Sequence, residues 1–145
     1  MTAIRVSTVI AAPPVRVWEA VGDISTHPRW MEDAVAIRFT SATRTGVGAS
    51  FECDTKVGPF RLTDRMEIVE WQKGRTITIR HVGLARGTGR FTLEPIATGT
   101  RFTWEERLSF PFWLGAPVLR RIWRRSLANL KRLVEECSTL GPCDD

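Results

Sequence analysis

The chain contains no tyrosine, two histidines and three cysteines in 145 residues. The first absence removes the phenolic hydroxyl as a donor. The cysteines, Cys53, Cys137 and Cys143, are odd in number and not at metal-ligand spacings, so reduced thiols are expected rather than a disulfide framework. No two His, Cys or carboxylate candidates fall at ligand spacing on a helix or strand, and no metal is expected. There is no Gly-x-Ser-x-Gly and no phosphate-cradling glycine loop, and Gly83 to Gly89 has the wrong spacing for a dinucleotide fingerprint, so no cofactor is expected. No apolar run follows a basic start, because Met1 to Ile10 already alternates; no signal peptide is read and a cytoplasmic location is expected.

What is present is an ordinary globular composition, 43% hydrophobic and 26% charged, at a length that suits one domain. The expected domain runs over 1–139, with a loose tail at 140–145. The net charge is +5, and Phe112 to Cys137 supplies +4 of it. In that stretch Leu119, Ile122, Trp123, Leu127, Leu130, Leu133, Val134 and Cys137 recur at three- and four-residue steps, which predicts a long amphipathic helix. Arg120, Arg121, Arg124 and Arg125 lie largely off the stripe. They form either a solvated face or a surface for an anionic membrane or an acidic protein. No strand pattern offers a stacking platform interleaved with basic residues, so nucleic acid is not expected as a partner.

Before that helix the period is mostly two. Ala3 to Ala11 reads as a strand, and Pro14 then opens a short helix over 14 to 22, since proline lacks only an amide that would be unpaired there. Ser25 to Pro28 starts a second short helical piece. Six further strands follow over Ala34–Thr40, Ala49–Val57, Phe60–Trp71, Thr76–Val82, Ala85–Glu94 and Thr100–Phe110. Their hairpin-length loops make them an antiparallel meander. The fold class is therefore α+β: seven strongly twisted strands, two short helices after the first, and one long helix gripped by a curved sheet. One helix need not fill that concavity, and Gly83, Gly87 and Gly89 either bend strands or leave volume for a guest.

The segment Ile10-Ala11-Ala12-Pro13-Pro14-Val15-Arg16-Val17-Trp18, continuing to Val21-Gly22-Asp23 and Pro28-Arg29-Trp30, resembles the opening of the START/Bet v 1-like (SRPBCC) superfamily. Within it, the likeness is to the polyketide cyclase/dehydrase and lipid-transport group. Gly99-Thr100-Arg101-Phe102-Thr103-Trp104 and Leu130-Lys131-Arg132-Leu133-Val134-Glu135 match that group's close. The resemblance implies a helix-grip fold with a cavity for a lipid, polyketide, quinone or similar molecule. Members include carriers and sensors, as well as cyclases and aromatases that often use tyrosine hydroxyls, which this chain lacks. Fold alone does not choose among them.

Strand parity nominates the site residues. Asp64 shares a face with Phe60, Leu62 and Met66, and Glu106 shares one with Phe102 and Trp104. Carboxylates on apolar faces are candidate acids or bases, unless they pair with Arg65, Arg80, Arg90 or Arg107 or are turned outward by a bulge. His81 is in phase with Ile77 and Ile79 and is a candidate donor or proton shuttle, or else a satisfied core histidine. His27 reads as a loop or capping residue. Phe51, Cys53, Ile79 and Phe91 are further inward positions. Trp104, Trp123 and Leu127 are candidate ligand contacts from the last strand and the helix, and Trp18 and Trp71 read as core. Trp30, with Phe110 to Trp113, is a candidate lip or a hydrophobic staple.

Overall fold

The computed structural model describes residues 2–83, 86–109 and 115–140. β1 (Thr2–Ile10) leads into α1 (Pro14–Val21) and a 3-10 helix (Ile24–Arg29). Six strands follow: β2 (Ala34–Phe39), β3 (Ser50–Val57), β4 (Phe60–Gln72), β5 (Thr76–Val82), β6 (Arg86–Ile96) and β7 (Gly99–Leu108). α2 (Ala116–Leu140) closes the described chain. The sheet order is β1-β7-β6-β5-β4-β3-β2, and every neighbouring pair is antiparallel. This is the helix-grip arrangement expected from the alternation and the loop lengths. The helix bounds differ from the expected 112–137. Phe112 and Trp113 lie outside the described residues, and α2 continues past Cys137 to Leu140 because no breaker intervenes before Gly141. Of the expected tail, Leu140 is the last helical residue and 141–145 fall outside the description.

Proline at its first position seats α1, and Gly22 caps it with its amide on the Trp18 carbonyl. At Gly22 a Cβ would come within 2.9 Å of the Trp18 ring nitrogen, so the turn needs the missing side chain to keep Trp18 tucked in. In β4 the alternation places Asp64 and Ile68 inward. A bulge between Ile68 and Glu70 then moves the inward phase to Trp71, which pairs with Ile77 and meets Trp18 edge-on at 5.1 Å.

α2 buries Trp123, Leu127, Leu130 and Val134 and packs on β1, an edge strand, and on α1. Ile4, Val6 and Ile10 of β1 and Phe102 of β7 complete this core. Leu127 alone, fully buried, is worth about 2 kcal/mol in transfer free energy. Because the helix sits toward one edge, the curved middle of the sheet is left with a hollow beneath it. On the outer face Arg38 of β2 grips Asp54 of β3 with both guanidinium ends, at 2.7 and 2.8 Å.

Candidate functional site

The hollow is a cavity of about 550 Å³ between the sheet, the 3-10 helix and the first turns of α2. A volume of this size suits a small-molecule guest. Its wall is apolar over most of its extent, with Phe51, Met66, Ile77, Ile79, Phe91 and Leu119 among the lining side chains. Phe60, 75% exposed, and Val118, also exposed, line it too.

One buried polar cluster interrupts this surface. His81 of β5 lies between Asp64 of β4 and Glu106 of β7. Its Nδ1–H donates to Asp64 Oδ2 at 2.7 Å and its Nε2–H to Glu106 Oε2 at 2.8 Å. All three residues are less than 10% exposed. Glu106 must reach across β6 to do this, and it can because its register partner there is Gly89. A Cβ at Gly89 would stand 2.5 Å from Glu106 Oε1. The volume left by that glycine is therefore taken by a carboxylate of the protein. Gly87 serves the backbone instead: its φ of +142° demands glycine, and a Cβ at that position would collide with the Arg107 carbonyl oxygen.

Two tryptophans extend the cluster. Trp104 Nε1 donates to Glu106 Oε1 at 3.0 Å, and its ring stacks on Trp123 at 4.7 Å. Trp123 Nε1 in turn donates to Asp33 Oδ2 at 3.1 Å. Asp33, Asp64, Glu106 and His81 all line the cavity. Asp64 Oδ1 is buried and has no hydrogen-bond partner among the described residues.

With its pKa raised well above neutral, His81 carries a proton on each ring nitrogen and donates to a carboxylate on either side as an imidazolium. Burial by itself lowers the pKa of His81, but the hydrogen bonds and charges of Asp64 and Glu106 more than reverse this and raise it to about 10. Burial raises the pKa of Asp33, partly offset by the Trp123 donor. It raises the Cys53 thiol to about 11, so Cys53 is a protonated, unreactive wall residue. His27 behaves oppositely to His81. Burial pushes it down to about 4, and as a neutral ring it donates from Nε2 to the Val21 carbonyl at 2.8 Å.

The structure brings most of the nominated residues to this one hollow: Phe51, Cys53, Phe60, Leu62, Asp64, Met66, Ile79, His81, Phe91, Trp104, Glu106 and Trp123 all line it. Trp30 and Leu127 do not. Both are about 1% exposed and belong to the core, Trp30 amid Phe91, Phe102 and Trp104. A residue so enclosed is not a lip, and Phe110 to Trp113 lie outside the described residues. The arginines weighed as partners for the two carboxylates are elsewhere, with Arg80 on Glu67 and Arg90 toward Glu70. Strand pleat turns Arg80 to the opposite face from Asp64 and Glu106, and Arg90, which touches the cavity wall, directs its guanidinium to Glu70, so His81 is left as the shared partner. His27 is not in a loop: from the 3-10 helix it caps the last carbonyl of α1, at Val21, while lying buried in the cavity wall. Asp33 was not singled out by the sequence; it precedes β2 in a turn without period, and only its indole partner on α2 marks it. Arg120, Arg121, Arg124 and Arg125 are exposed, flanking a shallow groove with Pro117 and Ala128. Among the described residues no helix is long and apolar enough to cross a membrane, and no group of three or more His, Cys, Asp or Glu side chains is placed to hold a metal ion.

A family model described as polyketide cyclase/dehydrase and lipid transport matches residues 1–135. The chain belongs to this family. Solved structures similar to this family member include protein CV1439 from Chromobacterium violaceum, 22% identical with a TM-score of 0.71, covering 93% of this chain and 99% of the other. Protein MLL2253 from Mesorhizobium loti is 17% identical with a TM-score of 0.75, covering 93% and 98%. TTHA0849 from Thermus thermophilus is 18% identical with a TM-score of 0.67, covering 96% and 98%. At these identities the likeness shows the shared fold. Comparison with curated proteins finds no match. Family and fold together indicate a ligand-binding or cyclase role for this member.

Proposed function

We propose that the protein holds a hydrophobic or amphipathic small molecule in its cavity, as a carrier or sensor. The observation that carries this reading is the hollow of about 550 Å³, apolar on most of its wall and polar at one buried cluster. Apolar area removed from water supplies about 25 cal/mol per Å² toward binding, before the cost of immobilising the guest. The polar cluster supplies orientation rather than bulk affinity. Native mass spectrometry of the freshly purified protein tests the proposal: a lipophile that leaves unchanged on denaturation supports it, and a protein that neither carries nor takes up any apolar molecule refutes it.

Catalysis in the same cavity is the second reading, favoured by the Asp64–His81–Glu106 line itself. Both His81 nitrogens are committed to carboxylates, so His81 would hold its neighbours in place. Asp64, with an unoccupied oxygen, is the better candidate to accept a proton from a cyclising chain. Turnover of a polyketide-like substrate that is lost in Asp64→Asn while binding persists would establish this reading, and turnover unchanged in that variant would refute it.

A further inference from the structure

A cavity that only stores grease has no use for three carboxylates. Asp33, Asp64 and Glu106 reach its wall from a turn, from β4 and from β7, and His81 is the imidazolium that answers them. Arg90 also touches the wall, but its guanidinium is directed to Glu70 and its side chain is half exposed. These carboxylates are close enough to act on one wall: Glu106 on Asp33, and both Asp33 and Asp64 on the thiol of Cys53. Asp64 is 9% exposed, and its Oδ1 has no partner among the described residues. A buried acceptor left open is costly, and the cost is recovered when a bound donor fills it.

Resting on the reading of the cavity as a ligand site, we propose that its guest is an amphiphile with a protonated amine head, whose N–H groups meet the Asp64 and Asp33 carboxylates while its chain lies along the apolar wall. An ammonium is a donor-only head and supplies up to three hydrogen bonds to a wall whose open polar atom is an acceptor. An ionised carboxylate head is acceptor-only, has no hydrogen to offer the Asp64 oxygen, and would be costly to bury unpaired. The net charge of +5 does not decide the matter, because the outward arginines are screened by solvent beyond about 10 Å whereas the interior cluster is not. A fatty acid, the commonest soluble lipid guest one would try, is thereby disfavoured.

The test uses three probes of equal chain length, dodecylamine, dodecanol and dodecanoate, titrated at pH 7.5 below their aggregation limits and followed by isothermal titration calorimetry. The expected order is amine, then alcohol, then carboxylate, with the amine at least tenfold tighter than the alcohol. In Asp64→Asn, whose amide oxygen still accepts from His81, the amine-to-alcohol ratio should fall below threefold while alcohol affinity stays within threefold of the parent. Asp33→Asn, which leaves the histidine pairing intact, should lower the same ratio and decides the question if Asp64→Asn does not fold. Dodecanoate binding as tightly as dodecylamine, or an undiminished ratio in both variants, overturns the amine assignment and leaves the cavity reading standing. Failure of all three probes to bind overturns the cavity reading and the assignment with it.

Discussion

Raising the pH from 7 to 9 should loosen the fold through a single side chain. His81 keeps its proton in the folded protein up to about pH 10, whereas in the unfolded chain an ordinary histidine gives it up near 6.5. Between those values the unfolded state binds fewer protons, so stability falls as pH rises; the contribution is fully present below 6.5 and gone above 10. The limiting slope is about 1.4 kcal/mol per pH unit, which after integration amounts to about 2.5 kcal/mol between pH 7 and 9. Few other groups confuse this window. There is no tyrosine to titrate, and the Cys53 thiol, raised from 9.0 to about 11, adds a loss of the same sign only above pH 9. On the acid side His27 reverses the sign, since its folded value of about 4 lies below 6.5 and stability is lost as pH falls through that interval. Urea unfolding followed by tryptophan fluorescence, repeated at half-unit steps from pH 4 to 9, should therefore trace a maximum near 6.5. His81→Gln, which leaves Asp64 and Glu106 without a counter-charge, should cost about 3 to 5 kcal/mol at pH 7 and abolish the alkaline slope. A wild-type curve that is flat or rising from pH 7 to 9, or an unchanged slope in the variant, would refute the imidazolium assignment.

Two substitutions separate scaffold from site. Leu127→Ala removes a core side chain that does not line the cavity, so thermal or urea unfolding should show a loss of about 2 to 5 kcal/mol with guest affinity little changed. Gly89→Ala should cost only about 1 to 3 kcal/mol by the same measurement but alter guest affinity several-fold, because its new methyl group drives the Glu106 carboxylate from its place.

The order of elements was legible because most strands here are half buried and keep a period of two over most of their length, while α2 keeps a stripe over seven turns. Parity also set Asp64, His81 and Glu106 on inward faces, but it is a one-strand argument and says nothing about which strands meet. The three come together only because β4, β5, β6 and β7 are consecutive in the sheet and Gly89 lets Glu106 cross one of them. The same limit explains the misplaced pair Trp30 and Leu127. Both are inward, and inward residues divide between core and cavity according to where α2 lies, which no pattern within α2 records. Asp33 is not marked by pattern because a lone charge in a turn has the sequence appearance of a solvated one, and its partner in the wall, Trp123, lies some 90 positions later.

The crossing of β6 by Glu106 also constrains how such a pocket can change over evolutionary time. A side chain opposite and a long acid cannot share that crossing, so position 89 and position 106 must be exchanged as a pair. An ancestor acquiring a bulkier residue at 89 would have to shorten or retract the acid in the same lineage. Retuning the polarity of the pocket is thus a two-step path with a poorly fitting intermediate, whereas retuning its length through Phe60, Leu62 or Val118 needs only one.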